Sequence, residues 1–386
     1  MPFADLAAEI AALDVRGLKR HRRILETPLR TRVMVEGREV IAFCSNDYLG
    51  LASDPRLTAA AREGAERFGV GAGASHLILG HSSVHHALEQ ALAQFVKLPR
   101  ALLFSTGYMA NIGIVTALAG RDDAVFADKL NHASLNDAAL LSRAEFKRYA
   151  HGDLAALEKL LAATKARRKL VVSDAVFSMD GDIAPVPELL RLCERHDAWL
   201  VLDDAHGFGV LGATGSGVLQ HCSVMSQRIV YMATLGKAAG VFGAFVAGEN
   251  DLIEILVQRA RPYIYTTAPP PLLAHTLLAS LEIIATEGWR REQLARLIIR
   301  LKQDVAGLRW RLLPSATAIQ PLMIGANDEA LRVAAALTQR GVLVPAIRPP
   351  TVPQGSARLR ISLSAAHSEQ DVAQLVEALR RIGKKS

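Results

Sequence analysis

Lys237 stands in the run YMATLGKAAG (231–240), where a strand-length apolar stretch ends in Thr234-Leu235-Gly236 and small residues follow. The charges nearest it along the chain are Arg228 and Glu249. In glycine- and alanine-lined surroundings, desolvation disfavours an ammonium ion and favours the neutral amine that condenses with an aldehyde. A second group lies in WLVLDDAHGFGVLG (199–212), where an apolar strand delivers Asp203 and Asp204, with His206 close behind. A carboxylate at the end of a buried strand needs a cation or several donors; two helix-capping or loop aspartates are the plainer alternative. A third lies in LLFSTGYMANIG (102–113), a strand, a Ser-Thr-Gly turn and a helix beginning near Tyr108. Free backbone N–H groups at such a start bind phosphate, although an ordinary capped helix with Tyr108 in the core fits the same letters. Taken together, the amine, the carboxylate and the phosphate cup are what pyridoxal 5'-phosphate (PLP) requires for its aldehyde, its ring nitrogen and its phosphate.

These groups need a scaffold. Between residues 100 and 250, the runs RALLFS, AVFAD, KLVVSD, WLVLDD, RIVYMAT and GAFVAG are each strand-length and apolar. Helical patterns such as LAALEKLLAATK and VPELLRLCERHD fall between several of them. The alternation predicts an α/β unit with a mainly parallel central sheet and helices on both faces. Ligands of such sheets collect beyond the carboxyl ends of the strands, where Ser105-Thr106-Gly107, Asp128, Ser173-Asp174, Asp203-Asp204 and Thr234 fall. The character changes after APPPL (268–272): a helical region over 272–313, a strand over 315–325, a helix over 328–340, a half-buried strand over 357–367 and a terminal helix. The expected organisation is an N-terminal helix and arm (1–44), a large PLP-binding domain (45–271) and a smaller α+β C-terminal domain (272–386).

Half of the 386 residues are apolar, as in ordinary globular proteins. No apolar run spans a bilayer, and the N-terminal stretch reads as an amphipathic helix carrying acidic residues, so a cytoplasmic location is expected. Cys44, Cys193 and Cys222 are too widely spaced for a disulfide framework or a zinc motif. The net charge of +7 is dispersed in small clusters without the aromatic interleaving of a nucleic-acid binder; it suits an anionic substrate.

Across nearly the whole chain, FCSNDYLGL (43–51), DKLNHASLNDA (128–138), VFSMDGDIAP (176–185), VLDDAHGFGVLG (201–212), TLGKAAG (234–240) and AIRPPTVPQGSARLRISLSAAH (346–367) resemble, in order, the α-oxoamine synthases, PLP-dependent transferases of fold type I. The resemblance implies that Lys237 holds the cofactor and moves the substrate proton, that Asp203 pairs with the ring nitrogen, and that His206 and Ser178 meet the phenolic oxygen. His132 would stack on the ring; Gly107, Tyr108 and Thr234 would bind the phosphate. Thr266 or Thr267 would reach across from a neighbouring subunit, which makes a homodimer with a shared active site. Arg348, with Asn46 near it, would hold the amino-acid carboxylate. Within the family, the C-terminal motif is most like that of the members that condense L-alanine with a pimeloyl thioester, carried by CoA or a carrier protein. Members that use glycine or serine with acetyl, succinyl or palmitoyl thioesters remain alternatives.

One segment departs from the pattern. In GVGAGASHLILGHSSVHHALE (69–89), Ala74-Ser75-His76 replaces a glycine-rich sequence in the part that resembles the family's acyl-facing loop. Its histidines His81, His85 and His86 invite a metal reading. No acidic or thiol partner is evident for them, so no metal is expected, and His85 is expected to begin a helix.

Overall fold

The computed structural model describes residues 3–384; Met1, Pro2, Lys385 and Ser386, at the outer ends of the expected terminal helices, lie outside the described residues. The chain divides into two compact units. The larger comprises Leu49–Ser178 and Asp182–Arg291; the smaller comprises the chain up to Tyr48, Met179–Gly181 and the chain from Glu292.

The larger unit is built on seven strands: β1 Arg100–Phe104, β2 Ala124–Asp128, β3 Glu145–Tyr149, β4 Lys169–Asp174, β5 Trp199–Asp203, β6 Ile229–Thr234 and β7 Ala244–Gly248. Their order is β1-β7-β6-β5-β4-β2-β3. Pairing is parallel from β6 through β3, while β7 runs antiparallel to both β6 and β1. Every residue of β2 and β7 is buried, as the apolar runs require of a sheet covered on both faces. Helix Gly107–Leu118 covers one face, and its Ala110, Ile114 and Val115 join Val125, Val172, Val201 and Met232 in one core. The register sets Asp174 opposite Asp203, bringing two carboxylates to neighbouring strand ends.

Strand β3 was not expected. Its sequence EFKRY holds no apolar run because it forms the sheet's edge, exposed at Glu145 and Arg148 and buried at Tyr149. The helical region expected over 272–313 is two helices, Pro271–Thr286 and Gly288–Asp304. The first packs within the larger unit: Ser280 Oγ donates to the Ala239 carbonyl at 2.7 Å, and helix Pro55–Phe68 comes so near that a Cβ on Gly64 would lie 3.1 Å from Leu272 Cα. The change of unit therefore falls at Glu292, some twenty residues beyond the compositional change.

The smaller unit holds a four-stranded antiparallel sheet (Arg311–Leu312, Ile319–Gly325, Ala357–Ser362, Ala346–Ile347) and a three-stranded sheet (Arg32–Val35, Arg38–Ala42, Val342–Leu343). Helices Asn327–Thr338 and Glu369–Gly383 belong to the same unit. The strand expected to be half-buried is buried at all six positions of Ala357–Ser362. Its two arginines are inside because they are paired: Arg358 with Asp180, and Arg360 with Asn46 and Ser362. Among the described residues, no helix is long and apolar enough to cross a membrane.

Candidate active site

Strand β1 gives way to Thr106, whose Oγ1 caps the following helix by accepting the Met109 N–H at 3.1 Å. The cap leaves the Gly107 and Tyr108 N–H groups at the helix start, where backbone donors have no partner within the helix. Tyr108 is not a core residue: it is 47% exposed, and its hydroxyl donates to Asp137 at 2.6 Å.

Asp203, at the carboxyl end of β5, is buried and held from behind. Asn111, one turn into the same helix, donates to Asp203 Oδ2 at 2.7 Å, and the Ala205 N–H donates to Oδ1 at 3.0 Å. Asn111 also donates to Ser134 Oγ at 2.9 Å, and that hydroxyl lies 2.7 Å from His132 Nδ1. The Ser134 N–H points at the same nitrogen, so Nδ1 accepts, and a neutral His132 ring carries its proton on Nε2. Beside Asp203, Asp174 accepts the His132 N–H at 3.1 Å. Burial, with the charge of Asp203 adding to it, lifts the Asp174 carboxyl well above its ordinary range. Asp204 accepts from the Val218 N–H and the Tyr231 hydroxyl within the core, and burial pushes it up to about 7.

Lys237 follows β6 and is half-buried, with Nζ 2.9 Å from Nε2 of the buried His206. Thr234 Oγ1 donates to the Gly243 carbonyl and accepts the Gly236 N–H, which fixes the turn that carries the lysine. Gly240 closes that turn at φ +71°, where an added Cβ would lie 2.6 Å from the Leu51 backbone.

These residues line one cavity of about 190 Å³: Gly107, Tyr108, His132, Ser178, Asp203, His206, Thr234 and Lys237, with Ser134 and Asp174 added. Thr266 and Thr267 are not in this lining. Asn46 and Arg348 belong to the smaller unit. There Asn46 Oδ1 accepts from Tyr48 and Arg360, while Arg348 donates through Nη1 to the Gly17 carbonyl and has a buried Nε without a partner. Sequence reasoning assigned no role to Asn111, Ser134 or Asp174. A polar residue one turn into an apolar helix and a strand-end aspartate were the signals for two of them.

The donor set fits PLP. An amine, a fixed carboxylate, an imidazole and helix-start N–H groups line one space, matching an aldehyde, a ring nitrogen, a ring face and a phosphate.

The histidine-rich segment corrects one expectation. His85 does enter the first turn of helix Ser83–Val96, but an acidic partner for the other histidines exists: Glu89 groups with His81 and His86, with ligand atoms of all three within 4.8 Å of one another. The sequence reading missed it because His81 is brought there by the turn His76–Gly80.

A family profile described as aminotransferase class I and II matches residues 38–379. An 8-amino-7-oxononanoate synthase of Nitrosospira multiformis is 67% identical over 95% of this chain and 93% of its own length. That of Nitrosomonas europaea is 63% identical over 98% of both. Among solved structures, the serine palmitoyltransferase of Sphingomonas wittichii superposes with a TM-score of 0.93 at 32% identity, covering 99% of this chain and 97% of that one.

Proposed function

The chain belongs to the class I and II aminotransferase family, and from that premise we propose that it condenses L-alanine with a pimeloyl thioester, releasing CO2, the free thiol and 8-amino-7-oxononanoate, a step of biotin biosynthesis. The observation that carries this reading is the set of strand-end groups around one cavity, with the Lys237 amine 2.9 Å from His206, in a chain with relatives at 57–67% identity that bear that enzyme's name. Bound PLP supplies an aldehyde for the substrate amine and a protonated ring that draws electron density from Cα.

The chain's residues do the rest. Lys237 Nζ takes the proton from the alanine Cα and returns one after CO2 leaves, with His206 beside it to share the charge. Asp203, fixed by Asn111 and the Ala205 N–H, keeps the ring nitrogen protonated. With PLP bound, His132 would pack against the ring and Ser178 would hydrogen-bond the phenolic oxygen. Gly107, Tyr108 and Thr234 hold the phosphate, together with Thr266 of the partner subunit or Thr267 of the partner subunit, so the working form is a homodimer. Arg348 takes the alanine carboxylate in a two-pronged hydrogen bond, aided by Asn46, and the orphaned Nε of Arg348 supports that role. The cytoplasm, with its pools of acyl thioesters, is the proposed location.

The test is thiol release by the PLP-loaded protein, offering alanine, glycine and serine, each with pimeloyl-, acetyl-, succinyl- and palmitoyl-CoA. Alanine with pimeloyl-CoA is expected to be the productive pair, giving a product with the mass of 8-amino-7-oxononanoate. Faster turnover of glycine with acetyl-CoA would overturn the assignment while leaving the roles of Lys237 and Asp203 intact.

A further inference from the structure

A second cavity, of about 290 Å³, shares no lining residue with the first and is lined by His76, His81, His86, Glu89, Arg100 and Tyr263, among others. His86 and Glu89 stand three residues apart on helix Ser83–Val96 and so share a face. The turn His76–Gly80 returns His81 to that face; it closes so tightly that a Cβ on Gly80 would lie 2.1 Å from the Ala74 carbonyl oxygen.

The hydrogen bonds fix which nitrogens are available. His85 is committed elsewhere: its Nε2 donates to the Pro269 carbonyl at 2.8 Å, and its Nδ1 accepts the Ser82 N–H at 3.1 Å. His81 Nε2 lies 3.9 Å from Glu89 Oε2, too far for a hydrogen bond. That gap is near the roughly 3.4 Å between two ligands of a tetrahedral ion with bonds of about 2.0–2.2 Å. Glu89 Oε1 accepts the Leu103 N–H at 2.9 Å, leaving Oε2 turned to the histidines. The exposed Gln90 amide lies 3.1 Å from His86 Nε2, and as a donor it marks a lone pair there that a cation would take over.

Behind His81, a buried group completes the arrangement. His76 is 6% exposed and stacked on Tyr263, with Nδ1 3.0 Å from His81 Nδ1 and a buried Nε2 that has no partner. If His81 binds an ion through Nε2, its Nδ1–H donates to His76 Nδ1, the outer hydrogen bond that orients a metal-bound histidine. Arg100, the cation in the lining, is paired with Glu254 at 2.9 Å.

We propose that His81, His86 and Glu89 form a binding site for one divalent transition-metal ion of the zinc class, with His76 as the residue that orients His81. Two imidazoles and one carboxylate suit zinc and leave a fourth position open to water or another donor. The bound ion pins the divergent segment Ala74–His81 to helix Ser83–Val96.

The test is calorimetric titration of Zn2+ into untagged, PLP-loaded protein freed of metal by a chelator, paired with the absorption spectrum of the Co2+ form. One ion per chain is expected, with affinity reduced at least about tenfold in His86→Ala and in Glu89→Gln. His86 is exposed, and Gln keeps an acceptor for the Leu103 N–H, so both variants retain the fold. His76→Phe, which keeps the stack on Tyr263, is expected to weaken binding without changing the stoichiometry. His221→Ala and Cys222→Ala, at residues outside the cavity's lining, are expected to bind as the parent does. No saturable binding at one ion per chain would overturn the proposal, as would parental affinity in His86→Ala, equal loss in His221→Ala, or a thiolate charge-transfer band in the Co2+ spectrum.

Discussion

The larger unit contains two carboxylate–histidine groups built at the same edge of the same sheet, and they differ in what they leave undone. At the end of β2, the buried Asp128 meets His151, which reaches Asp182 with its other nitrogen; both contacts are 3.0–3.1 Å. Both carboxylates there share the one imidazole of His151. At the ends of β4 and β5, Asp174 and Asp203 stand in register and receive neutral donors from Asn111, Ala205 and His132, and the cation whose charge reaches Asp174 is Lys237. A carboxylate held in place mainly by neutral donors is costly to folding and useful to a ligand with a protonated nitrogen. The first group holds the fold together, and the second is a prepared socket.

Four measurements can break or sharpen that contrast. The largest effect is expected for Lys237→Ala: absorbance of the covalently held cofactor disappears and turnover falls at least about 10⁴-fold, while circular dichroism remains unchanged. Substantial turnover in this variant would remove the socket reading. Asp203→Asn keeps the shape and removes the charge, so a kcat loss of about 10²–10³-fold is expected; a loss confined to KM would mean that the carboxylate only helps binding. Asn111→Ala leaves Asp203 without its shortest hydrogen bond, and about a tenfold loss in kcat is expected, together with a spectral shift of the bound cofactor that a purely structural role would not cause.

The smallest effect belongs to the closed group. Asp128, with help from Asp182, lifts His151 from its ordinary 6.5 to about 10, so the folded state holds that proton more tightly than the unfolded chain does. The resulting stabilisation is fully present below pH 6.5 and is lost as pH rises through about 10. His151→Gln should therefore lower Tm near pH 7 by about 1–3 °C, for a loss of about 1 kcal/mol after allowance for solvent screening. Its stability should fall less than the parent's between pH 7 and 10, and kcat should not move. A matching loss of kcat would erase the distinction between the two groups.

What could be read from the sequence follows the same division. The apolar strands and the lysine isolated among small residues are local signals, because burial dictates composition. The polar edge strand β3 and the ladder from Asn111 through Ser134 to His132 are products of packing. So is the placement of His81 beside Glu89: each of those residues has an ordinary alternative in its own stretch of chain. Arg358 and Arg360 make the same point in the smaller unit, where alternation suggested an exposed face and pairing allowed both side chains inside.

The edge strand has a consequence for behaviour in a crowded solution. Among the described residues β3 pairs with β2 alone, so its other side offers a row of backbone groups to any extended chain that drifts past. Glu145 and Lys147 pair at 3.1 Å along it, and Arg148 reaches back to the Lys129 carbonyl at 2.7 Å. An incoming strand has to strip water from these charges before it can add to the sheet. The composition that hid this strand from the sequence reading is also what guards the protein against self-templated aggregation.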